Sequence, residues 1–317
     1  MLIFRRENPH LVKVSVIICT YSEEVYEYFQ EAVESVLQQT YDNIELVLVS
    51  DGSEVVYEKM IEDYGHRDDT IISRTDKNVG ISAARNYGIN QANGDIVAQI
   101  DDDAVADPDW IEELVSIYES TDAIAVGGKM TAEWVAGKPN FLPEEFYWLI
   151  GVTHKGFAEP GEEVRNTFGS NISFRQEVIN ELGGFDPNVG RKGDAEIQAH
   201  ESELCTRLRQ EFGRGVVYNP DAKVAHKVFD YRTEPRWLIK RAFWQGYSKR
   251  ALEALLPDAS RSEESAFLSF LLFDSIPLRV RRFLSAPSAT PVAQLAWLIL
   301  LTSLVGLGYL YGIIKWR

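Results

Sequence analysis

Asp95-Ile96-Val97-Ala98-Gln99-Ile100-Asp101-Asp102-Asp103 is the stretch that decides the fold. Its apolar run reads as a strand rising out of a core, and it ends in three adjacent carboxylates. Charges crowded in this way repel one another, and the common physical remedy is a hard divalent cation that takes oxygen ligands. A cation that also grips a diphosphate stabilises the charge of a departing nucleotide. Taken alone, the three residues also read as a solvated acidic turn.

The flanking sequence favours the first reading. Val14-Ser15-Val16-Ile17-Ile18-Cys19-Thr20-Tyr21 has the form of a buried strand with a polar end. Ile44-Glu45-Leu46-Val47-Leu48-Val49 is a second such strand, closed by Ser50-Asp51-Gly52-Ser53. Between them Val25, Phe29, Ala32, Val33, Val36 and Leu37 recur at helical spacing. Strand, helix and strand with polar or acidic strand ends predict an open α/β sheet. Ligands of such sheets gather at the carboxyl ends of the strands.

Seven motifs then follow one another in order. They are VSVIICTYSE from Val14, ELVLVSDGS from Glu45, NVGISAARNYGI from Asn78 and DIVAQIDDDAVADPDW from Asp95. GSNISFRQEVINELGGFDP from Gly169, HESELCTRLR from His200 and VAHKV from Val224 complete the series. Together they resemble the family 2 glycosyltransferases, which have the GT-A fold, a Rossmann-like open twisted sheet with flanking helices. The resemblance spans about Val14 to His226.

The resemblance implies a set of roles. Thr20, Tyr21 and Glu23 line the nucleotide pocket. Asp51 accepts a hydrogen bond from an imide N–H such as that of uracil; many relatives have a second acid where this chain has Ser50. Asn78 to Asn86 reads as a loop entering a helix, with Gly80 allowing close approach, Ser82 capping, and helix amides suited to phosphate. Arg85 turns towards the nucleotide. Asp101 and Asp103 are the ends of the family's Asp-x-Asp motif. Asp101 faces the ribose and metal region, Asp103 is the metal ligand, and Asp102 is the variable, solvated position. His226 is the second ligand of Mn²⁺ or Mg²⁺, and an imidazole inclines the choice to Mn²⁺. Glu201 stands at the base position, where relatives commonly have Asp. Glu203 is the alternative base, and stabilisation of a helix N-terminus is the plainer reading of either. Asn171 and Asp186 lie in the acceptor-side motifs. Trp134 and Trp148 are either sugar-stacking or core residues.

Composition separates two regions. The formal charge is −16, yet residues 231–317 carry 12 Lys/Arg against 6 Asp/Glu, a net +6 that leaves −22 on residues 1–230. So acidic a body excludes non-specific nucleic-acid binding and matches proteins that stay soluble in concentrated salt. Two cysteines, Cys19 and Cys205, form no disulfide framework and suit a reducing compartment. The start, Met1-Leu2-Ile3-Phe4-Arg5-Arg6, is too short for a secretory h-region. Val292 to Ile314 is uncharged. As a helix it reaches about 34 Å, enough for a bilayer core. Arg279, Arg281 and Arg282 precede it, which sets the globular part on the cytoplasmic side. Pro235 to Arg250 alternates aromatic and basic residues and reads either as an interfacial helix or as one packed on the globular domain.

The division expected is a catalytic domain at 1–230, an amphipathic membrane-proximal helical region at 231–290 and a transmembrane helix at 291–317. Joints are expected at Pro257–Ser262 and Ser285–Ser288. The resemblance extends to haloarchaeal membrane-bound members that elongate dolichol-linked glycans for protein N-glycosylation. It implies an inverting, metal-dependent transfer of a sugar, in that setting a hexuronic acid, from a UDP-sugar to a hydroxyl of a dolichol-linked glycan. A phosphate acceptor is already anionic and needs no base, whereas a sugar hydroxyl does. Two other readings stand beside it: a polyprenyl-phosphate sugar synthase, and a non-catalytic sugar-binding scaffold that keeps the fold.

Overall fold

The computed structural model describes residues 11–189, 199–256, 262–285 and 288–316. The chain start, the first joint except Ser262, and Ala286 and Pro287 of the second lie outside them. The first half alternates strand and helix: β1 (Val14–Thr20), α1 (Tyr26–Leu37), β2 (Ile44–Ser50), α2 (Glu54–Tyr64), β3 (Thr70–Arg74), α3 (Ile81–Ile89) and β4 (Ile96–Gln99). There follow β5 (Ala104–Ala106), α4 (Trp110–Ser120), β6 (Ala125–Trp134), β7 (Glu163–Val164), β8 (Ile172–Arg175), α5 (Gln176–Glu181), α6 (His200–Phe212) and β9 (Val216–Val228). The last elements are helical: α7 (Asp230–Thr233), α8 (Pro235–Leu255), α9 (Ser262–Phe270), α10 (Ile276–Ser285) and α11 (Ala289–Lys315).

The strands form one sheet in the order β3-β2-β1-β4-β8-β6-β9-β5, with β7 added beside β9. The first four are mutually parallel, and β8 enters antiparallel to β4. Parallel strands are covered on both faces, which is why β1 and β2 are apolar almost throughout. Their period-two alternation divides the core. Val14, Val16 and Ile18 face α1, α2 and α4, while Ile17 and Cys19 face α3, α5 and α6. The helical spacing of α1 is borne out by burial of Tyr26, Phe29, Ala32, Val33 and Val36.

A third core ties the C-terminal helices to this body. Phe146 and Leu149 of the 3₁₀ segment Glu144–Ile150, and Leu142 just before it, meet Leu238 and Ala242 of α8 and Leu298 and Leu301 of α11. The tie has a buried ionic part: Glu145, 1% exposed, accepts from Ser275 Oγ at 2.5 Å and from Arg279. Arg279 is therefore buried and paired.

Among the described residues α11 is the one helix long and apolar enough to cross a membrane. It packs along α8. A Cβ on Gly246 would lie 1.9 Å from the carbonyl oxygen of Val305, and one on Gly308 would lie 1.8 Å from that of Phe243. Small residues let two helix backbones touch, the device by which membrane helices associate.

Candidate active site

The carboxyl ends of β1, β2 and β4 open into one cavity of about 1350 Å³, lined by Thr20, Tyr21, Asp51 and the three aspartates. Asp51 is buried at the end of β2, where Gly52, at φ 82°, turns the chain against Asn78. Its carboxylate accepts from Thr75 Oγ1 (2.9 Å), Val79 N (2.8 Å) and Gly80 N (3.0 Å). Asp51 thus caps the loop before α3, taking up the amides of Val79 and Gly80 that precede the helix. A carboxylate offers about four lone-pair sites, so one acceptor position remains for a ligand donor. Gly80 is the N-cap of α3, and the Ser82 hydroxyl donates to the Val189 carbonyl instead of capping.

Arg85 of α3 is 3% exposed and forms the cavity floor. Its Nη2 donates to Asp101 Oδ1 at 2.5 Å and its Nη1 lies 3.5 Å from Glu201 Oε1. The ring of Phe185 lies 5.5 Å from the guanidinium carbon. Asn86 fixes that ring's backbone by accepting from Phe185 N and donating to Phe185 O. Gly169 makes room for the cluster, because a Cβ there would lie 2.1 Å from Glu201 Oε1. Ser170 accepts from Asp101 N at 3.0 Å. The Gly-Ser pair therefore belongs to the site, while Gly183–Phe185 supports Arg85 from behind.

Glu201 sits in the first turn of α6 and lines the cavity. His200 Nε2 is 2.8 Å from its Oε1. Burial works to raise its pKa, but His200 and Arg85 outweigh it and hold the carboxyl far below the usual range. Glu203 is placed elsewhere. It chelates Arg207 at 2.6 and 2.9 Å, and Arg207 in turn donates to the carbonyls of Leu182 and Gly184. That pairing is structural.

Asp103 directly precedes β5 and His226 lies on β9; the two strands pair, and Lys227 N donates to Asp103 O. His226 Nε2 is 3.5 Å from Asp103 Oδ2. Arg232 of α7 reaches between them, 3.1 Å from Asp103 Oδ2 and 3.0 Å from His226 Nε2. Burial works to raise the Asp103 pKa, yet His226 and Arg232 hold it below the ordinary value. Asp102 lines the cavity and is not simply solvated; burial, reinforced by the charges of Asp103 and Asp101, pushes its carboxyl up to about 7.

These residues fit a divalent cation. The site already holds a positive group, Arg232, against the Asp103 carboxylate and the His226 Nε2. Among the described residues no group of three or more His, Cys, Asp or Glu side chains forms a self-sufficient cage. That accords with ions such as Mg²⁺, which take one or two carboxylates and complete their shell from phosphate and water.

Other expected residues lie apart. Glu23 is turned outward to Lys59, 3.0 Å away, and its neighbour Glu24 lines the cavity in its place. Asn171 is buried behind the wall, accepting from Trp110 Nε1 (2.9 Å) and donating to the carbonyls of Ala222 and Lys129. Asp186 shapes a turn by accepting from Asn188. Trp134 packs edge-on against Tyr147, whereas Trp148 lines the cavity. Sequence reading missed His200 and Arg232. His200 adjoins the candidate base and offered a signal; Arg232 lies in a stretch with no motif.

The profile described as "Glycosyl transferase family 2" matches residues 15–183. The glucosyl-dolichyl phosphate glucuronosyltransferase of Haloferax volcanii is 51% identical over 304 residues, 96% of this chain and 97% of that protein. Among solved structures, the Pyrobaculum calidifontis mannosyltransferase PcManGT, in complex with GDP-Man and Mn²⁺, is similar with TM-score 0.62 and 18% identity, covering 96% of this chain and 88% of that one. Staphylococcus aureus TarS 1–349 in complex with UDP-GlcNAc gives 0.57 and 17%, covering 92% and 81%. At these identities the likeness shows the shared GT-A fold.

Proposed function

The chain belongs to glycosyl transferase family 2, and on that premise we propose that it moves a glucuronosyl group from a UDP-sugar to a hydroxyl of glucosyl-dolichyl phosphate, inverting the anomeric carbon. Two lines support the reading. The Haloferax relative, named as a glucosyl-dolichyl phosphate glucuronosyltransferase, matches over 96% of this chain and 97% of its own length. The observation that carries the chemistry is Glu201, an ionised carboxylate in the same cavity as Asp101, Asp102 and Asp103. An acceptor hydroxyl needs such a group, and an acceptor phosphate does not.

The residues divide the work. Asp51, with one acceptor position left, receives the imide N–H of the base. Thr20 and Tyr21 border the nucleotide, and Asp101 is oriented by Arg85. Asp103 and His226 would hold Mn²⁺ or Mg²⁺; the PcManGT structure is a complex with GDP-Man and Mn²⁺. A bound divalent ion supplies positive charge against the leaving diphosphate. Arg232, which now stands between the two, would give up that place to the cation. Glu201, strongly acidic as a free carboxyl, first orients the acceptor hydroxyl and takes its proton late, as attack makes that proton acidic. His200 and Arg85 keep the carboxylate charged and fixed. Residues 231–317 attach the catalytic part, residues 1–230, to the membrane from its cytoplasmic face.

The test is the lipid-linked glycan pool of a strain lacking the gene. Accumulation of glucosyl-dolichyl phosphate without a following hexuronic acid is expected. A pool lacking glucosyl-dolichyl phosphate itself favours the rival synthase, which transfers to lipid phosphate.

A further inference from the structure

α11 is long and apolar enough to cross a bilayer, but it does not stand clear of the body. Protein holds one of its faces from Gln294 to Trp316. Gln294 donates to the Asn140 carbonyl at 2.9 Å and accepts from Arg279 at 2.6 Å. The Trp297 ring lies 4.7 Å from that of Phe141, and Leu298 and Leu301 sit in the third core. Farther on, Tyr309 donates to Glu253 at 2.7 Å, and Arg250 donates to the Trp316 carbonyl at 3.0 Å. A crossing helix needs about 20 residues within the hydrocarbon. Crossing in this arrangement would carry α8 in alongside, with Lys240, Arg241, Lys249, Arg250 and Glu253. Ionisable side chains at that depth are costly.

The other face of α11 is bare. Val292, Ile299, Leu307, Leu310 and Ile314 are exposed and recur on one side of the helix. α10, which packs on α11, ends at an exposed Leu284 (71%) and is preceded by an exposed Phe273 (77%). So much apolar surface on adjoining elements marks an interaction face. Charge indicates its partner. Residues 231–317 carry net +6 and residues 1–230 net −22. An anionic lipid surface attracts the first and repels the second. A second copy of this chain would set like charge against like.

We propose that α11 does not cross the bilayer but lies along it, its bare face in the acyl region of one leaflet and its other face on the catalytic body. This rests on the membrane attachment proposed above and changes its form. Helices that lie in the interface are held by a buried apolar face together with attraction to anionic lipid. Both ends of α11 then stay on the side of the catalytic domain. Thr302, Val305 and Tyr309 of the same helix line the cavity that holds Asp101 and Glu201. An in-plane α11 therefore sets one wall of that cavity beside the leaflet, at the level where the head of a lipid-borne acceptor lies.

The experiment adds the full chain to preformed liposomes of phosphatidylcholine and anionic phosphatidylglycerol and reads depth with nitroxide labels. Cys19 and Cys205 are buried, so single cysteines introduced as Val292→Cys, Ser303→Cys and Ile314→Cys take the label, with the unsubstituted chain as the blank. The three positions are about three turns apart and exposed on one side of the helix. Access of oxygen against access of a water-soluble nickel chelate gives the depth of each. Equal, shallow depths are expected. Ser303→Cys lying roughly 16 Å deeper than both ends is the signature of a crossing helix and overturns the proposal. So does a C-terminal tag that protease cannot reach while the catalytic domain faces outward. Labels shielded from both reagents and broadened by one another place a second copy where the lipid should be, and overturn it as well. A chain that stays in solution overturns the attachment together with its form. Failure of the catalytic reading has a different signature: the depths are as expected while no glucuronosyl transfer occurs.

Discussion

Arg85 Nη1 stands 3.5 Å from Glu201 Oε1, and the same guanidinium donates to Asp101. One buried cation thus links the carboxylate that follows β4 with the carboxylate in the first turn of α6. Removing it leaves two anions near each other in a covered site. Arg85→Ala is expected to lower transfer at least as much as loss of Glu201. Arg85→Lys, which keeps charge but not the fork, should recover only part of it. Rates of both variants with a lipid-linked sugar acceptor check this.

Glu201→Gln keeps the shape and removes the carboxylate proposed as the base. Turnover should fall roughly 10²–10⁴-fold, the usual scale for general-base loss. UDP binding should be unchanged, because Asp51 and Asp101 are intact. Glu203→Gln should act on stability, since Arg207 loses its ion pair. Turnover, UDP affinity and melting temperature for the two variants separate the roles; a dead but stable Glu203→Gln beside an active Glu201→Gln would reverse the assignment.

Arg232 occupies the space between Asp103 and His226. Arg232→Ala is expected to tighten Mn²⁺ binding in the absence of donor, and Asp103→Ala to abolish it. Counting free Mn²⁺ by electron paramagnetic resonance reads both without catalysis. Chelator should silence transfer, and Mn²⁺ or Mg²⁺ should restore it.

Glu45 gives a pH prediction. Burial works to raise its pKa, but hydrogen bonds from Lys13, Asn93 and Ser15 hold it below the ordinary value. A depressed folded pKa means stability that is fully present above the unfolded value and lost as pH falls through the folded one. The urea midpoint should therefore drop below about pH 4.3, the ordinary glutamate range. In Glu45→Gln that part of the drop disappears, and stability at neutral pH is lower by about 1–3 kcal/mol.

Gly308→Leu should push α8 from α11, because its Cβ would already meet the Phe243 carbonyl. A cost of about 1–3 kcal/mol or more is expected. Gly306→Leu, with open space around it, should leave the melting temperature of the detergent-solubilised protein unchanged.

The sheet was readable because its signal is local. Val14–Thr20 and Ile44–Val49 are mostly apolar runs, and Asp51 and Asp101 follow their strands within two residues. The Asp103–His226 pair was readable only through motif resemblance, since the pairing of β5 with β9, Ala104 opposite His226, is what brings residues so far apart in the chain together. Asn171 and Asp186 stand in motifs whose neighbours, Gly169 and Phe185, do touch the site cluster. The sequence marks the segment, and only packing shows which side chain faces the cavity. Arg232 carries no periodicity or spacing; it joins the site through tertiary contact alone.

The most direct measurement gives the purified full-length protein UDP-glucuronic acid, Mn²⁺ and either glucosyl-dolichyl phosphate or dolichyl phosphate, with mass spectrometry of the lipid products. The account predicts one hexuronic acid added to the glucosyl lipid, with inverted anomeric configuration, and none added to dolichyl phosphate. Transfer to dolichyl phosphate, or retention of the donor configuration, would contradict it.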